Sequence, residues 1–213
     1  MANPVSDRLS GASRRSRRLA SALTMAIGSI LCGCSFDLGS LTTAPEQTAA
    51  PRAAPATTNV AEAEAATIRA QGLARSGKTK EALAEFDHAL ESDPNNAQAL
   101  YGRGLLYQGE KLHQSAIADF SAANGLRPQQ AEPLLGRATS YLVLNRIKEA
   151  VADLDEAVQA EPQNGEIWAA RGLAYERLGD KTKAAESYSR AINLRPKDEA
   201  ARSGFARVGG KPG

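Results

Sequence analysis

Pro94, Pro128, Pro162 and Pro196 stand 34 residues apart, and this interval constrains the fold more than any other feature of the chain. A fixed period of this length over four copies means stacked structural repeats, each of which buries its apolar face only against its neighbours. Numbering each copy 1 to 34 with proline at position 32 starts the copies at Ala63, Ala97, Ala131 and Gly165. Positions 8, 20 and 27 then hold only alanine or glycine. They are Ala70, Ala82 and Ala89, then Gly104, Ala116 and Ala123, then Ala138, Ala150 and Ala157, then Gly172, Ala184 and Ala191. Position 11 holds Leu73, Tyr107, Tyr141 and Tyr175, and position 24 holds Phe86, Phe120, Leu154 and Tyr188, so a large side chain answers each small one. Small facing large lets two helices approach closely while the space between them stays filled.

This pattern resembles the tetratricopeptide repeat, a helix-turn-helix unit with small residues at positions 8, 20 and 27 and proline at 32. The resemblance implies an all-α, right-handed α-solenoid of four repeats over residues 60–96, 97–130, 131–164 and 165–198, closed by a capping helix and loose tail over 199–213. Two columns depart from the family. Trp168 alone matches the tryptophan common at position 4, against Ala66, Leu100 and Leu134, and position 7 is arginine throughout: Arg69, Arg103, Arg137 and Arg171.

The period places helices at 60–76, 79–92, 97–109, 113–126, 131–144, 147–160, 165–178 and 181–194, with a last one at 199–208. Asn59, Asn96, Asn164 and Asp198 stand where helix N-caps are needed, Gln130 is a weaker substitute, and Glu62 is spaced to complete a capping box with Asn59. Gly77, Asn145 and Gly179 share position 15, where left-handed backbone ends the first helix of a repeat. Each proline ends the second helix because it cannot extend the hydrogen-bond ladder. Glu85, Asp119 and Asp153 at position 23 are the expected partners of the arginine column within repeats 1 to 3. In repeat 4 Ser187 holds that position, with Glu186 beside it.

Residues 1–33 carry Arg8, Arg14, Arg15, Arg17 and Arg18, followed by an apolar run over 19–31 that is too short to span a bilayer comfortably. The run ends in Leu31-Cys32-Gly33-Cys34, which resembles the bacterial lipobox and implies cleavage of a signal peptide over 1–33 and lipidation of Cys34. An ordinary secretory signal or an uncleaved amphipathic anchor are the alternative readings of the same stretch. Ser35 after the cysteine points, by the same resemblance, to the outer membrane. Residues 34–59 then form the lipidated cysteine and a linker rich in Ala, Thr and Pro, whose flexible span is roughly 25 to 30 Å.

The arginines of the leader account for the chain's net charge of +2; beyond residue 33 there remain 21 bases and 23 acids. A domain of that balance has no basic surplus for a phosphate backbone, which argues against nucleic acid. With both cysteines at one place, the mature chain has no disulfide framework and no cysteine nucleophile. The histidines, His88 and His113, match no metal-ligand spacing and read as solvated surface residues, and no phosphate loop or activated serine appears. The sequence therefore points to no enzyme activity, no cofactor, no metal and no small-molecule substrate.

What the family resemblance does offer is a concave groove lined by the first helix of each repeat at positions 2, 5, 9, 12 and 13. Carried over, the apolar middle of that groove is Tyr101, Leu105, Leu135, Leu142, Val143 and Leu173, with Gln108 and Thr139 among them. Glu64, Glu132 and Glu166 form an acidic rim. The Lys and Asn positions by which chaperone-binding relatives clamp a terminal carboxylate are not matched. The implied role is a protein-binding adaptor of the bacterial cell envelope that faces the periplasm, holds partner segments in the groove and reaches the membrane through its lipid. The alternatives are an assembly lipoprotein of a pilus or secretion system and a structural protein that self-associates.

Overall fold

The computed structural model describes residues 59–128 and 130–210. The expected leader, Cys34 and the linker up to residue 58 lie outside the described residues, as do Gln129 and the tail from residue 211. Nine helices make up the regular structure among the described residues. They are α1 (Val60–Arg75), α2 (Thr79–Ser92), α3 (Ala97–Gly109), α4 (His113–Leu126), α5 (Ala131–Val143), α6 (Ile147–Ala160), α7 (Gly165–Leu178), α8 (Lys181–Leu194) and α9 (Glu199–Arg207). Each lies within one residue of its expected span. All nine belong to one compact unit, Ala50–Gly213.

Helices pack in the pairs α1/α2, α3/α4, α5/α6 and α7/α8, and each pair packs on the next. The first helices of successive pairs also touch one another, α1 with α3, α3 with α5 and α5 with α7, whereas the second helices do not. The first helices therefore converge on the inner face of the solenoid and the second helices spread over the outer face. α9 packs on both α7 and α8 and covers the last repeat, as a repeat array requires of its terminal element.

The caps explain the helix starts. Asn59, Asn96, Asn164 and Asp198 each accept a backbone N–H of the first turn through Oδ1, at 3.3, 2.9, 3.1 and 3.0 Å. Gln130 makes no such bond. Only half of the expected capping box forms: the Glu62 carboxylate turns instead to Arg69 (3.4 Å), and the Asn59 backbone N–H donates to the Ser92 carbonyl (3.0 Å). At position 15 the backbone is left-handed in all four repeats, at Gly77 (φ 74°), Lys111 (φ 62°), Asn145 (φ 59°) and Gly179 (φ 91°). Lys111 is the misfit, since a side chain there crowds the following carbonyl. Lys111→Gly is expected to raise stability by about 1 kcal/mol, read as a higher midpoint in urea; an unchanged or lower midpoint refutes the strain.

The small residues at positions 8, 20 and 27 are all buried, and the structure adds the reason for their pairing with position 24. Phe86, Phe120, Leu154 and Tyr188 each sit between position 8 of their own repeat and position 6 of the next first helix. For Phe120 those two sites are Gly104 and Gly136, where an added Cβ would stand 2.8 and 2.7 Å from the ring. For Tyr188 they are Gly172 and Gly204, and Phe86 likewise presses on Gly102. Leu154, the one aliphatic in the column, has Ala138 and Ala170 at the same two positions. Size at position 24 is thus compensated on both sides, as close packing demands.

The arginine column forms the expected ion pairs. Arg103 binds Asp119 and Arg137 binds Asp153 bidentately, every bond 2.8 Å, and Arg69 Nε donates to Glu85 at 2.9 Å. Hydrogen bonds to Asp119 and Asp153 raise the Arg103 and Arg137 guanidinium pKa above the usual arginine value, against the opposing effect of burial. Each arginine also reaches back to position 25 of the preceding repeat. Arg103 binds Asp87 (2.7 Å), Arg137 binds Ser121 Oγ (3.0 Å) and Arg171 binds Asp155 (2.7 Å). In repeat 4 the substitute is therefore Ser187 Oγ (2.7 Å) together with Asp155, and not the neighbouring Glu186. Arg69, with no earlier pair of described helices behind it, uses Glu62 of its own helix. The column thus joins repeats as well as the two helices of each.

Candidate functional site

The inner face runs along α1, α3, α5 and α7. Leu105 and Leu173 are exposed on it at 42% and 39%, and Tyr101 and Leu135 are half-buried beside them. These four side chains are the apolar floor of that face. Thr139 is exposed, with its hydroxyl donating to the Leu135 carbonyl at 2.8 Å. Val143, 58% exposed, is the last residue of α5 and stands at the turn to α6 rather than on the floor.

Two expected groove residues are placed otherwise. Leu142 is 5% exposed and belongs to the core formed with Leu134, Leu154 and Ile167. Gln108 Nε2 donates to the Gly136 carbonyl and to Ser140 Oγ, both at 3.0 Å. Both occupy position 12, and the third example, Glu176, accepts from Arg207 (2.7 Å) and Tyr188 (2.6 Å). Position 12 in repeats 2 to 4 faces the seam with the following element, so it binds the solenoid to itself. The bond from Arg207 holds the Glu176 carboxyl below its usual range, and burial drives the Tyr188 phenol upward.

The floor is bounded by acids. Glu132 and Glu166 are exposed at the starts of α5 and α7, and Glu64 is exposed on α1. None of them enters an ion pair among the described residues. Burial raises the Tyr101 phenol above its ordinary value, and the negative charges of Glu132 and Glu166 raise it further. Two carboxylates from two different helices therefore act on one tyrosine across the groove. Open clefts mark both ends. One of about 340 Å³ lies between α1 and α3 beside Ile68 and Gln71, and one of about 360 Å³ lies between α7 and α9 beside Leu173 and Arg207. Ile68 is the residue that the sequence reading missed. It holds position 6, where later repeats carry Gly102, Gly136 and Ala170, and it is 68% exposed.

Among the described residues no cluster of three or more His, Cys, Asp or Glu could hold a metal ion. His88 is half exposed, with Nδ1 3.8 Å from Glu62. His113 departs from the solvated reading: it is half-buried at the start of α4 and its Nδ1 has no hydrogen-bond partner among the described residues.

The site is the open inner face of a helical-repeat solenoid, apolar along its floor and acidic at its rim. Descriptions of the tetratricopeptide repeat match residues 73–110, 97–130 and 135–199, so the array is one of tetratricopeptide repeats, a fold whose members generally mediate protein–protein interaction. A crystal structure of MamA protein is 20% identical with a TM-score of 0.64, covering 69% of this chain and 80% of that one. A MamA fragment from Desulfovibrio magneticus RS-1 is 22% identical at TM-score 0.60, over 69% and 93% of the two chains. The first tetratricopeptide domain of Spaghetti (RPAP3), bound to the HSP90 peptide SRMEEVD, is 22% identical at TM-score 0.53, over 55% and 92%. At these identities the likeness is one of fold. No curated protein matches the chain.

Proposed function

We propose that the chain is a non-catalytic adaptor that holds a segment of another protein in its concave groove, anchored in the cell envelope through Cys34. The observation that carries this reading is the apolar floor left open on the inner face, where Leu105 and Leu173 stay exposed although α9 covers the last repeat. An exposed apolar surface with a polar rim is what a partner site looks like. The unpaired Glu64, Glu132 and Glu166 favour a segment with apolar anchors and basic flanks. An acidic peptide such as the SRMEEVD held by the Spaghetti domain would meet like charge at this rim. The envelope location rests on the sequence around Cys34 alone.

The test compares crosslinked captures from envelope extracts by the intact protein and by Leu105→Glu/Leu173→Glu. Both sites are exposed, so the variant should keep its helix content by circular dichroism. Expected is a specific set of proteins captured by the parent and lost, at least tenfold, from the variant. Equal capture by the folded variant removes the groove from consideration. For the anchor, Cys34→Ser is expected to move the protein from the membrane fraction to the soluble one and to abolish the acyl mass increment.

A further inference from the structure

We propose that the edge of the solenoid formed by the turns between the two helices of each repeat is a docking surface for an anionic lipid bilayer. This surface is separate from the groove, and it does not depend on Cys34 or on what the groove binds. The turns of successive repeats adjoin. One cleft is lined jointly by Lys78 and Lys80 of the first turn and Leu112 of the second, and Arg177 donates to the Leu142 carbonyl at 2.7 Å across the third and fourth.

Apolar side chains concentrate along this edge without cover. Leu112, Val143, Leu144 and Leu178 are 51%, 58%, 40% and 42% exposed. Between them stand exposed cations at Lys78, Lys80, Lys111, Lys148 and Lys181, which outnumber the exposed acids Glu81, Glu110 and Glu149 of the same turns. None of these lysines enters an ion pair among the described residues, where arginines and His88 make all the pairs. The opposite edge carries Asp93, Glu132, Glu161, Glu166 and Glu199 against Arg127, Arg195 and Lys197, a balance of the reverse sign. Beyond the leader the chain has more acids than bases, so attraction to an anionic surface requires this segregation. Leucines that enter the headgroup layer beside lysines that meet phosphate are the combination by which a protein rests on such a membrane.

The same edge breaks local helix rules that the other edge obeys everywhere but at Gln130. The N-cap residues there are Lys78, Leu112 and Arg146, and none makes a side-chain cap bond. Asp180 occupies the equivalent site in repeat 4 with nearly the same backbone angles and accepts the Lys183 N–H at 3.0 Å. Lys80, Lys148 and Lys181 stand in the first turns of α2, α6 and α8, where the helix dipole disfavours positive charge. Lys111 keeps its side chain at φ 62°, where the other repeats use glycine or asparagine. These choices forgo local stability, Arg146 alone being compensated by its pair with Glu149 (3.0 Å), and each adds a cation or an exposed apolar group to one surface. Rules broken together at one place mark function.

The chain from Ala50 to Gly213, the compact unit that holds all nine helices and every described core, is the protein to test. It is cosedimented in low salt with vesicles of phosphatidylcholine alone and of equal parts phosphatidylcholine and phosphatidylglycerol. The key variant is Lys78→Asp/Leu112→Asp/Arg146→Asp, which supplies the missing caps and so is expected to melt higher than the parent. A control, Arg127→Asp/Gln163→Asp/Arg190→Asp, makes the same change in net charge away from the edge. Expected is partitioning of the parent to the anionic vesicles only, suppressed by salt. The key variant should lose it by at least about tenfold, at roughly fivefold per base removed from the surface, and the control should stay within about twofold of the parent. No binding by the parent, equal binding to both vesicle types, or equal losses in key variant and control each overturn the proposal. So does an edge whose substitution removes a protein partner while vesicles go unbound.

Discussion

Arg137→Ala is expected to destabilise the solenoid by about 3 to 5 kcal/mol, the range for removing one partner of a buried ion pair. The Arg137 side chain is 17% exposed and that of Asp153 9%, so the abandoned carboxylate would stay largely out of water with its two guanidinium bonds gone. The substitution also removes the bond to Ser121, which ties repeat 3 to repeat 2. In a chain of repeats stability is a sum of unit and nearest-neighbour terms, so a severed joint in the middle should split the transition. Circular dichroism reports all nine helices, whereas Trp168 on α7 reports the C-terminal half through its emission. The two urea curves should coincide for the parent and separate for the variant. Arg137→Met/Asp153→Leu should recover most of the loss, because replacing both charges leaves neither stranded. A single-variant cost below about 1 kcal/mol would show that the pair is solvated and contributes little.

Gly136→Ala should cost about 1 to 3 kcal/mol by overpacking, since its new Cβ would lie 2.7 Å from the ring of the fully buried Phe120. Phe120→Leu alone should also cost 1 kcal/mol or more through the cavity it leaves. Combined as Gly104→Ala/Gly136→Ala/Phe120→Leu, the substitutions copy the set that repeat 3 already uses, Ala138, Ala170 and Leu154. The combination should be more stable than the sum of its parts by about 0.5 to 3 kcal/mol, the coupling typical of residues in contact. Chemical denaturation of the parent, the parts and the whole measures it. Simple additivity would mean that the aromatic moves aside and that the match of sizes is coincidence.

What could be read from the sequence was whatever repeats within one copy. The prolines, the small residues and the Asn and Asp caps recur at fixed positions, so each helix start and stop was visible, and so was the pairing of position 7 with position 23. What could not be read joins one copy to the next. Asp87, Ser121 and Asp155 lie 16 residues before the arginines they bind, across a helix boundary, and their column mixes acids with a hydroxyl. Leu142 looked like a groove residue because position 12 lies on the inner helix. In this array that position points along the stack instead, as Gln108 and Glu176 do with polar side chains. For Lys111 the sequence held no warning, because turn geometry imposed by the neighbouring repeats overrides the preference of the residue itself.

The arginine column has a direction. Every Arg at position 7 from repeat 2 onward binds one group that precedes it in the chain, and in each case the partner in its own repeat follows 16 residues later. When the chain emerges N-terminus first, from a ribosome or through a membrane, the upstream partner is already in place as each new first helix appears. The helix can dock at once on the finished repeat behind it, and its own second helix then closes the joint from the other side. The bidirectional reach of one side chain thus lets the solenoid assemble in order of synthesis, one latch at a time, without waiting for its C-terminus.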